Sequence, residues 1–95
     1  MKSIIDEREE CHVCGSIVGL ERHHIFFGVS NRAKSEADGC WCYLCAEHHR
    51  GRWGVHGYDG YELNRQLKRE AEAAWLRRYG KTIEDFIERY GKNYL

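Results

Sequence analysis

The sequence lacks long hydrophobic runs, an excess of either charge, internal repeats and proline. Its longest apolar stretches, such as residues 25–27 (Ile-Phe-Phe), are far too short to cross a bilayer, so we expect no membrane partner. Fifteen basic residues balance fifteen acidic ones, which counts against a protein that holds nucleic acid by charge attraction alone. The first residues do not have the pattern of a secretory signal peptide, so a cytoplasmic location is expected.

The chain is also short of the material for a large core. A single domain of 95 residues buries only roughly 60–65% of the surface that its unfolded chain exposes. Folds of this size usually add disulfides, a metal ion or a partner. Five cysteines, an odd number, fit a closed disulfide framework poorly, and together with six histidines they favour a metal.

Three regions differ in composition. Residues 1–10 are predicted to form a flexible, acidic N-terminal segment. Residues 11–60 hold all the cysteines and histidines and most of the glycines, which predicts short elements arranged around metal. Residues 61–95 have the pattern of a helical pair.

The first of these two helices is predicted over residues 61–79, with Gly80 after its end. Its apolar positions recur at helical spacing, whereas four charged residues, Arg65, Lys68, Arg69 and Glu72, are expected to face away. Thr82 and Asp85 form an approximate capping box that starts the second helix, and Gly91 ends it. Both helices are expected to pack as a lid over the metal-binding half.

The middle of the chain predicts a small α+β arrangement. Two β-prone runs, residues 25–27 and residues 41–44, are expected to be strands. Residues 31–38 between them are polar and turn-like, and a helix carrying His48 and His49 is expected to begin near Ala46.

The strongest chemical pattern is Cys11-x-x-Cys14 followed by Gly15. Two residues between the thiols let both sulfurs reach one zinc ion from a tight turn, at about 2.3 Å each. The second ligand pair is either Cys45 with His48 or Cys42 with Cys45. We favour the former because the latter needs a kink inside the most β-like run, and Cys40 and Cys42 are then small buried residues. A thiol redox pair is a further reading of Cys11 and Cys14, although no βαβ pattern surrounds them.

The other histidines suggest a second site. His12 lies inside the cysteine turn and is expected to be exposed. His23 and His24 lead into a strand, where neighbouring side chains point to opposite faces, so one can bind metal while the other meets a different partner. Seven residues of continuous helix would separate His49 from His56 by about 10.5 Å. Glycines at 51, 54 and 57 could instead break the helix and fold His56 back, and the sequence leaves both arrangements open.

The order of these motifs resembles the zinc-containing form of the HNH endonuclease family. The resemblance covers roughly residues 11–56 and rests on Cys11-x-x-Cys14, on His23-His24-Ile25, and on residues 44–49 (Leu-Cys-x-x-His-His). His48 stands where that form has a second cysteine, a change that zinc accepts. The C-terminal residues are similar to those of small HNH-like proteins of phages and prophages.

The resemblance implies a small α+β fold with a zinc-stapled ββα-metal core (HNH, or His-Me finger) over residues 11–60, followed by two helices. It implies a DNA endonuclease that hydrolyses phosphodiester bonds to a 5′ phosphate and a 3′ hydroxyl. His24 would be the general base, and a catalytic divalent ion (Mg²⁺, Mn²⁺, Ni²⁺ or Zn²⁺) would bind His23 and His49, with His56 as a third ligand. The expected partners are DNA, a second copy of the chain and other phage proteins, in the cytoplasm of a bacterium or a phage-infected host.

One departure from the family pattern weakens the catalytic assignment. The family has an asparagine near the position of Cys40 that holds the loop carrying the base, and only Asn31, in the intervening segment, could serve instead. Trp53 lies among glycines and could either stack on a base or pack against the helical lid, and we favour packing. Four arginines near the histidine motifs are candidate phosphate contacts: Arg22, Arg32, Arg50 and Arg52. The alternative function is a non-catalytic, zinc-stabilised module that binds DNA or protein through a degenerate HNH site.

Overall fold

A computed structural model describes residues 1–95. In chain order it contains strand β1 (Glu21–His24), helix α1 (Asn31–Asp38), strand β2 (Trp41–Leu44) and helices α2 (Ala46–Arg50), α3 (Tyr61–Tyr79) and α4 (Ile83–Tyr90). The protein is therefore a small α+β structure with one two-stranded sheet and four helices. None of the helices combines the length and the apolar character needed to cross a membrane.

The two strands pair antiparallel in a register that sorts the histidines between the two faces of the sheet. His23 lies opposite Cys42, and His24 lies opposite Trp41. Because side chains alternate along a strand, Glu21 and His23 share one face with Cys42 and Leu44, and this face turns towards α2. Arg22 and His24 share the other face with Trp41 and Tyr43.

Two expectations for the middle of the chain are wrong. The first strand ends at His24, before residues 25–27, and Ile25 and Phe26 are instead fully buried in the core just after it. The polar segment 31–38 is not a loop but helix α1, which ends at Gly39 in the left-handed conformation. Tertiary contacts stabilise this polar helix, because the Ser35 side chain is buried and hydrogen-bonds the backbone N–H and carbonyl of Phe26. The predicted second strand and the helix that begins at Ala46 are both present.

The C-terminal helices have the predicted bounds. Gly80 and Gly91 follow α3 and α4 in the left-handed conformation, with φ of 62° and 91°. Thr82 and Asp85 form the predicted capping box, with hydrogen bonds of 3.2 and 3.0 Å.

The C-terminal helices and the sheet half contribute to the same hydrophobic cluster. One hydrophobic cluster contains α3 and α4 residues together with residues of the sheet half: Leu67, Ala71, Trp75, Phe86 and Tyr90 with Ile25, Phe26, Cys40, Cys42 and Leu44. Half of the α4 stripe contributes little, because Ile83 and Ile87 are 38% and 40% exposed.

Glu72 does not face solvent as expected but is fully buried. Its Oε1 accepts the backbone N–H of Tyr94 at 2.7 Å, and burial raises the pKa of its carboxyl. This contact ties the C-terminal residues back onto α3.

The N-terminal segment contains no helix or strand but is anchored at several points. The backbone N–H of Ile4 donates to Gly39 (2.9 Å), and the Asp6 carboxylate accepts the N–H of Tyr43 (3.3 Å). Ile4 and Ile5 pack against the core. Residues 3–6 therefore lie along the edge of β2.

Candidate metal centres

The cysteine turn at residues 11–14 is held by its own backbone. Gly15, with φ of 75°, donates its N–H to the carbonyl of Cys11 at 2.8 Å, and Cys11 donates to Ser16 at 2.8 Å. The N–H of His12 donates to Tyr43 on β2 at 2.8 Å, which attaches the turn to the sheet. The two thiols thus face the start of α2.

Helix α2 supplies the second half of this site from its first turn. Cys45 is the extended residue that precedes the helix, and His48 follows one turn later. The four donor atoms of Cys11, Cys14, Cys45 and His48 all lie within 4.8 Å of one another, so these residues are close enough to hold one metal ion. This is the ligand set favoured from the sequence over the pairing of Cys42 with Cys45.

The separations in this first cluster match a tetrahedral zinc site. Zinc–sulfur bonds of about 2.3 Å and zinc–nitrogen bonds of about 2.0–2.1 Å place two sulfurs about 3.8 Å apart and a sulfur and a nitrogen about 3.6 Å apart. The observed values are 3.8 Å between the sulfurs of Cys14 and Cys45, and 3.2 and 3.8 Å from Nδ1 of His48 to the sulfurs of Cys45 and Cys11. The donor set is consistent with a structural zinc.

Cys11 differs from the two core cysteines, Cys40 and Cys42, in how easily its thiol ionises. Burial opposes ionisation of Cys11, but backbone hydrogen bonds from Cys45, Cys14 and Val13 outweigh it and lower the pKa of this thiol to about 6. A thiolate is the form that binds metal. Cys40 and Cys42 are fully buried, and burial raises the pKa of Cys40 to about 12 and that of Cys42 further. Both are therefore core residues, as expected.

A second cluster contains three histidines from three parts of the chain. The ring centroids of His23, His49 and His56 are 5.0–5.2 Å apart in each pairing. Their nearest ring nitrogens lie within 4.8 Å of one another. The structure thus brings together the three residues expected to bind a second ion.

His56 reaches this cluster because α2 ends early and the chain turns back beside it. The N–H of His56 donates to the carbonyl of His49 at 3.1 Å, and Val55 makes the equivalent bond to His48 at 2.9 Å. Gly57 permits this turn, since a Cβ atom there would collide with the carbonyl oxygens of Gly51 and Arg52. Of the two arrangements that the sequence leaves open for His56, the structure therefore has the one in which the helix breaks and His56 folds back beside His49.

The electrostatics of the second cluster suit a metal ligand set. Nε2 of His23 is buried and has no hydrogen-bond partner. Burial, followed by the charges of His49 and His56, lowers the pKa of His23 to about 3, so its ring is neutral and can donate an electron pair. Nδ1 of His49 hydrogen-bonds Glu21 at 2.7 Å. A carboxylate in this position is the usual outer partner of a metal-bound histidine.

The two clusters differ in their number of ligands. The first has four donors, which is the number that closes a structural zinc site. The second has three, and His56 is exposed, so one side of it is open to solvent. Three protein ligands with a free position are typical of catalytic metal sites.

His24, the expected general base, lies outside the three-histidine cluster and on the opposite face of β1. Its Nε2 is 2.9 Å from Oε1 of Glu36 on α1. Arg22 binds the same carboxylate at 2.8 and 3.0 Å and stacks on Trp41, with 3.7 Å from guanidinium carbon to ring centroid. Hydrogen bonds from His24 and then Arg22 lower the pKa of Glu36 to about 2, so it is an anion.

Asn31 does not hold the loop that carries His24. Its side-chain N–H donates instead to the carbonyl of Tyr90, at 3.1 Å, and joins α1 to the end of α4. Two neighbouring α1 residues hold the end of β1: Ser35 binds the backbone of Phe26, and Glu36 binds the side chain of His24. No local pattern points to Glu36, because the polar composition of residues 31–38 predicts a turn-like segment and not a helix beside β1.

Three of the four arginines proposed as phosphate contacts are already paired with carboxylates. Arg22 binds Glu36, Arg50 binds Glu21 and Arg52 binds Asp59. Arg32 is exposed and forms no salt bridge. The positive charge expected around the histidines is therefore largely neutralised.

Two further expectations are wrong. His12 is not a free exposed side chain: its ring nitrogens lie 2.6 Å from Asp6 and 2.8 Å from Glu70. These carboxylates, Asp6 first, outweigh burial and raise the pKa of His12 to about 9. Trp53 does not pack against the lid but is 62% exposed, because the glycine-rich turn carries it outward.

No protein-family model, curated protein or solved structure matches this chain. The geometry of the two clusters and of the residues around them is therefore what bears on function.

Proposed function

We propose that this protein is a metal-dependent DNA endonuclease of the HNH, or ββα-metal, type, with a structural zinc at Cys11, Cys14, Cys45 and His48. The observation that carries the proposal is the open three-histidine cluster, whose ligand atoms lie within 4.8 Å of one another. The residue that follows His23 in the chain, His24, is paired with the carboxylate of Glu36. Three protein ligands with one side free leave room for a substrate or water on the ion, as a catalytic site requires.

The arrangement of elements around the clusters also supports this proposal. His23 lies on the first strand of an antiparallel pair, and His49 lies on the short helix that directly follows the second strand. This is the strand, strand, helix order implied by the family resemblance, with α1 inserted between the strands. The four-donor cluster joins the turn before β1 to the start of α2 and so braces both ligand-bearing elements.

A divalent ion held by the three histidines would polarise the scissile phosphate and stabilise charge on the leaving 3′ oxygen. Glu36 fixes the ring of His24 through Nε2, which leaves Nδ1 as the nitrogen able to take a proton from water. A base positioned in this way typically contributes about 10²–10⁴-fold to the rate. Arg22 in turn donates a hydrogen bond to Glu36, which helps to fix the carboxylate that holds His24.

The second candidate is a zinc-stabilised binding module without catalysis. The position of His24 on the opposite face of β1 from His23 favours it, as does the neutralisation of Arg22, Arg50 and Arg52. This module would bind one ion tightly at the cysteines and would cleave no DNA with any divalent ion.

Nicking of supercoiled plasmid distinguishes the two functions. Protein purified without added metal is incubated with Mg²⁺, Mn²⁺, Ni²⁺ or Zn²⁺, and His24→Ala and His56→Ala are run beside it. The nuclease predicts ion-dependent nicking that is lost in both variants while zinc at the cysteines is retained. Equal nicking by wild type and variants would indicate a contaminant, and no nicking by folded, zinc-loaded protein would favour the binding module.

A further inference from the structure

The C-terminal residues and the first half of α3 enclose a cavity of about 430 Å³ that the proposed reaction does not use. No aspartate or glutamate lines it. Three cations and two aromatic rings do: Arg65, Lys68, Lys92, Tyr61 and Tyr94. The contact between Glu72 and the backbone of Tyr94 holds the C-terminal wall in place.

The cations of this cavity are uncompensated, unlike those first expected to bind phosphate. None of the three forms a salt bridge. Lys68 is half-buried, with its ammonium 4.3 Å from the ring centroid of Phe27 and 5.3 Å from that of Tyr94. Burial and then the charge of Lys92 lower the pKa of Lys68, and an anion in the cavity would oppose this shift by favouring the charged ammonium.

The cavity adjoins the three-histidine cluster. Phe27 separates them: its ring centroid lies 5.1 Å from that of His56 and 6.0 Å from that of His23, and Lys68 stacks on it. Lys68, which lines the cavity together with Lys92, therefore lies on the side that adjoins the three-histidine cluster, with Phe27 between Lys68 and His56. Tyr61, 71% exposed, offers a ring at the edge of the cavity.

We propose that this cavity binds a phosphodiester of the substrate strand that flanks the bond cut at the histidine cluster, with Lys68, Arg65 and Lys92 as its contacts. The inference rests on the proposed function, because the strand it holds is the substrate of that cluster. A positive groove with an aromatic ring at its edge is the usual means of holding a nucleic acid strand without reading its sequence. It also explains how a protein of zero net charge can hold DNA, since the three free cations are concentrated at one place.

The experiment measures binding of a fluorescent 30-base-pair duplex between 50 and 200 mM salt, with zinc-loaded protein and no further divalent ion. The triple variant Arg65→Gln, Lys68→Met, Lys92→Gln removes three charges from the cavity, and methionine keeps the packing of the Lys68 stem. The control Arg69→Gln, Arg77→Gln, Lys81→Gln removes three exposed charges elsewhere on the helical pair.

Each phosphate contact contributes about 0.9 to the slope of log affinity against log salt. We expect the cavity variant to lower this slope by about 2–3 and to weaken binding at 50 mM salt about tenfold or more, and the control to lower the slope by less than 1. Equal slopes in the two variants, or no binding by wild type, would overturn the inference. If the triple variant does not fold, Lys92→Gln at its exposed site is compared with Lys81→Gln, with an expected slope change of about 1 against none.

Plasmid nicking by the wild type separates the two proposals. If the wild type nicks plasmid and the two triple variants have equal salt slopes, the cavity is excluded as a DNA contact and the nuclease proposal stands. A smaller slope in the cavity variant without nicking leaves the cavity as a DNA contact and removes the nuclease.

Discussion

Oε1 of Glu36 accepts a hydrogen bond from Nε2 of His24 at 2.9 Å, although the two residues come from different elements. His24 ends β1, and Glu36 lies in the middle of α1. A histidine whose second nitrogen is held by a carboxylate has one tautomer and one ring orientation, which is the condition for use as a base. In the proposed nuclease, Glu36 would therefore position the base, the task that the resemblance assigns to an asparagine.

Replacing Glu36 with glutamine should lower the plasmid-nicking rate about 10–100-fold, because the amide no longer holds the His24 ring as a charged acceptor does. Zinc content and the midpoint of thermal unfolding should stay close to those of wild type, since Glu36 lies near the surface. Glu84→Gln, at an exposed position of α4, serves as the control. A nicking rate equal to that of Glu84→Gln would show that Glu36 does not position a base.

Replacing Glu21 with glutamine should weaken the second metal site selectively. Loss of a carboxylate partner of a metal-bound histidine typically costs about 10–100-fold in metal affinity. Titration of zinc-loaded protein with Co²⁺ measures this site, while the cysteine site keeps its zinc. Glu62→Gln, exposed at the start of α3, is the matched control. Unchanged Co²⁺ affinity in Glu21→Gln would show that the Glu21 carboxylate does not support His49 as a metal ligand.

The cysteines should divide into two groups by zinc content. Cys14→Ser removes a donor from the four-ligand cluster and should leave less than one zinc per chain, with an earlier thermal unfolding transition, because metal binding and folding are coupled in small domains. Cys42→Ala should keep its zinc despite a less well packed core. Zinc measured by elemental analysis tests both, and equal zinc in the two variants would contradict the assigned ligand set.

Gly57→Ala should act on the second metal site through the backbone. The added Cβ would collide with the carbonyl oxygens of Gly51 and Arg52, so the turn that returns His56 must open. We expect Co²⁺ affinity to fall as far as in His56→Ala, with zinc at the cysteines retained. Wild-type Co²⁺ affinity in Gly57→Ala together with weakened affinity in His56→Ala would mean that the turn can shift without moving the ligand.

Asp38 should be a determinant of stability rather than of function. Its carboxylate accepts hydrogen bonds from Trp75 (2.8 Å) and Tyr90 (2.7 Å) and also binds Arg89. Asp38→Ala leaves these donors without a partner, and we expect the free energy of unfolding to fall by about 2–3 kcal/mol. Urea unfolding measures this loss, and Glu88→Ala on the exposed side of α4 should change it by less than about 0.5 kcal/mol. A similar small change for Asp38→Ala would show that the network contributes little.

The sequence was most informative where the relevant interactions are local. The spacing of Cys11 and Cys14 and of Cys45 and His48, the capping box at Thr82, and the glycines that end α3 and α4 all depend on residues within one turn of each other. Their geometry follows from the backbone, so these predictions hold. The stripe of α3 was also correct in the positions that form the lid, because helical periodicity by itself sets which side chains share a face.

The tertiary structure decided what depends on neighbours far along the chain. Residues 31–38 have a weak apolar pattern and become a helix because Ser35 and Glu36 find partners at the end of β1. The carboxylates Glu21 and Glu36 take part in the site only through partners 28 and 12 residues away, respectively. The environments of His12 and Glu72 differ from the sequence-based expectation for the same reason, since His12 contacts Glu70 and Glu72 contacts the backbone of Tyr94, both far along the chain.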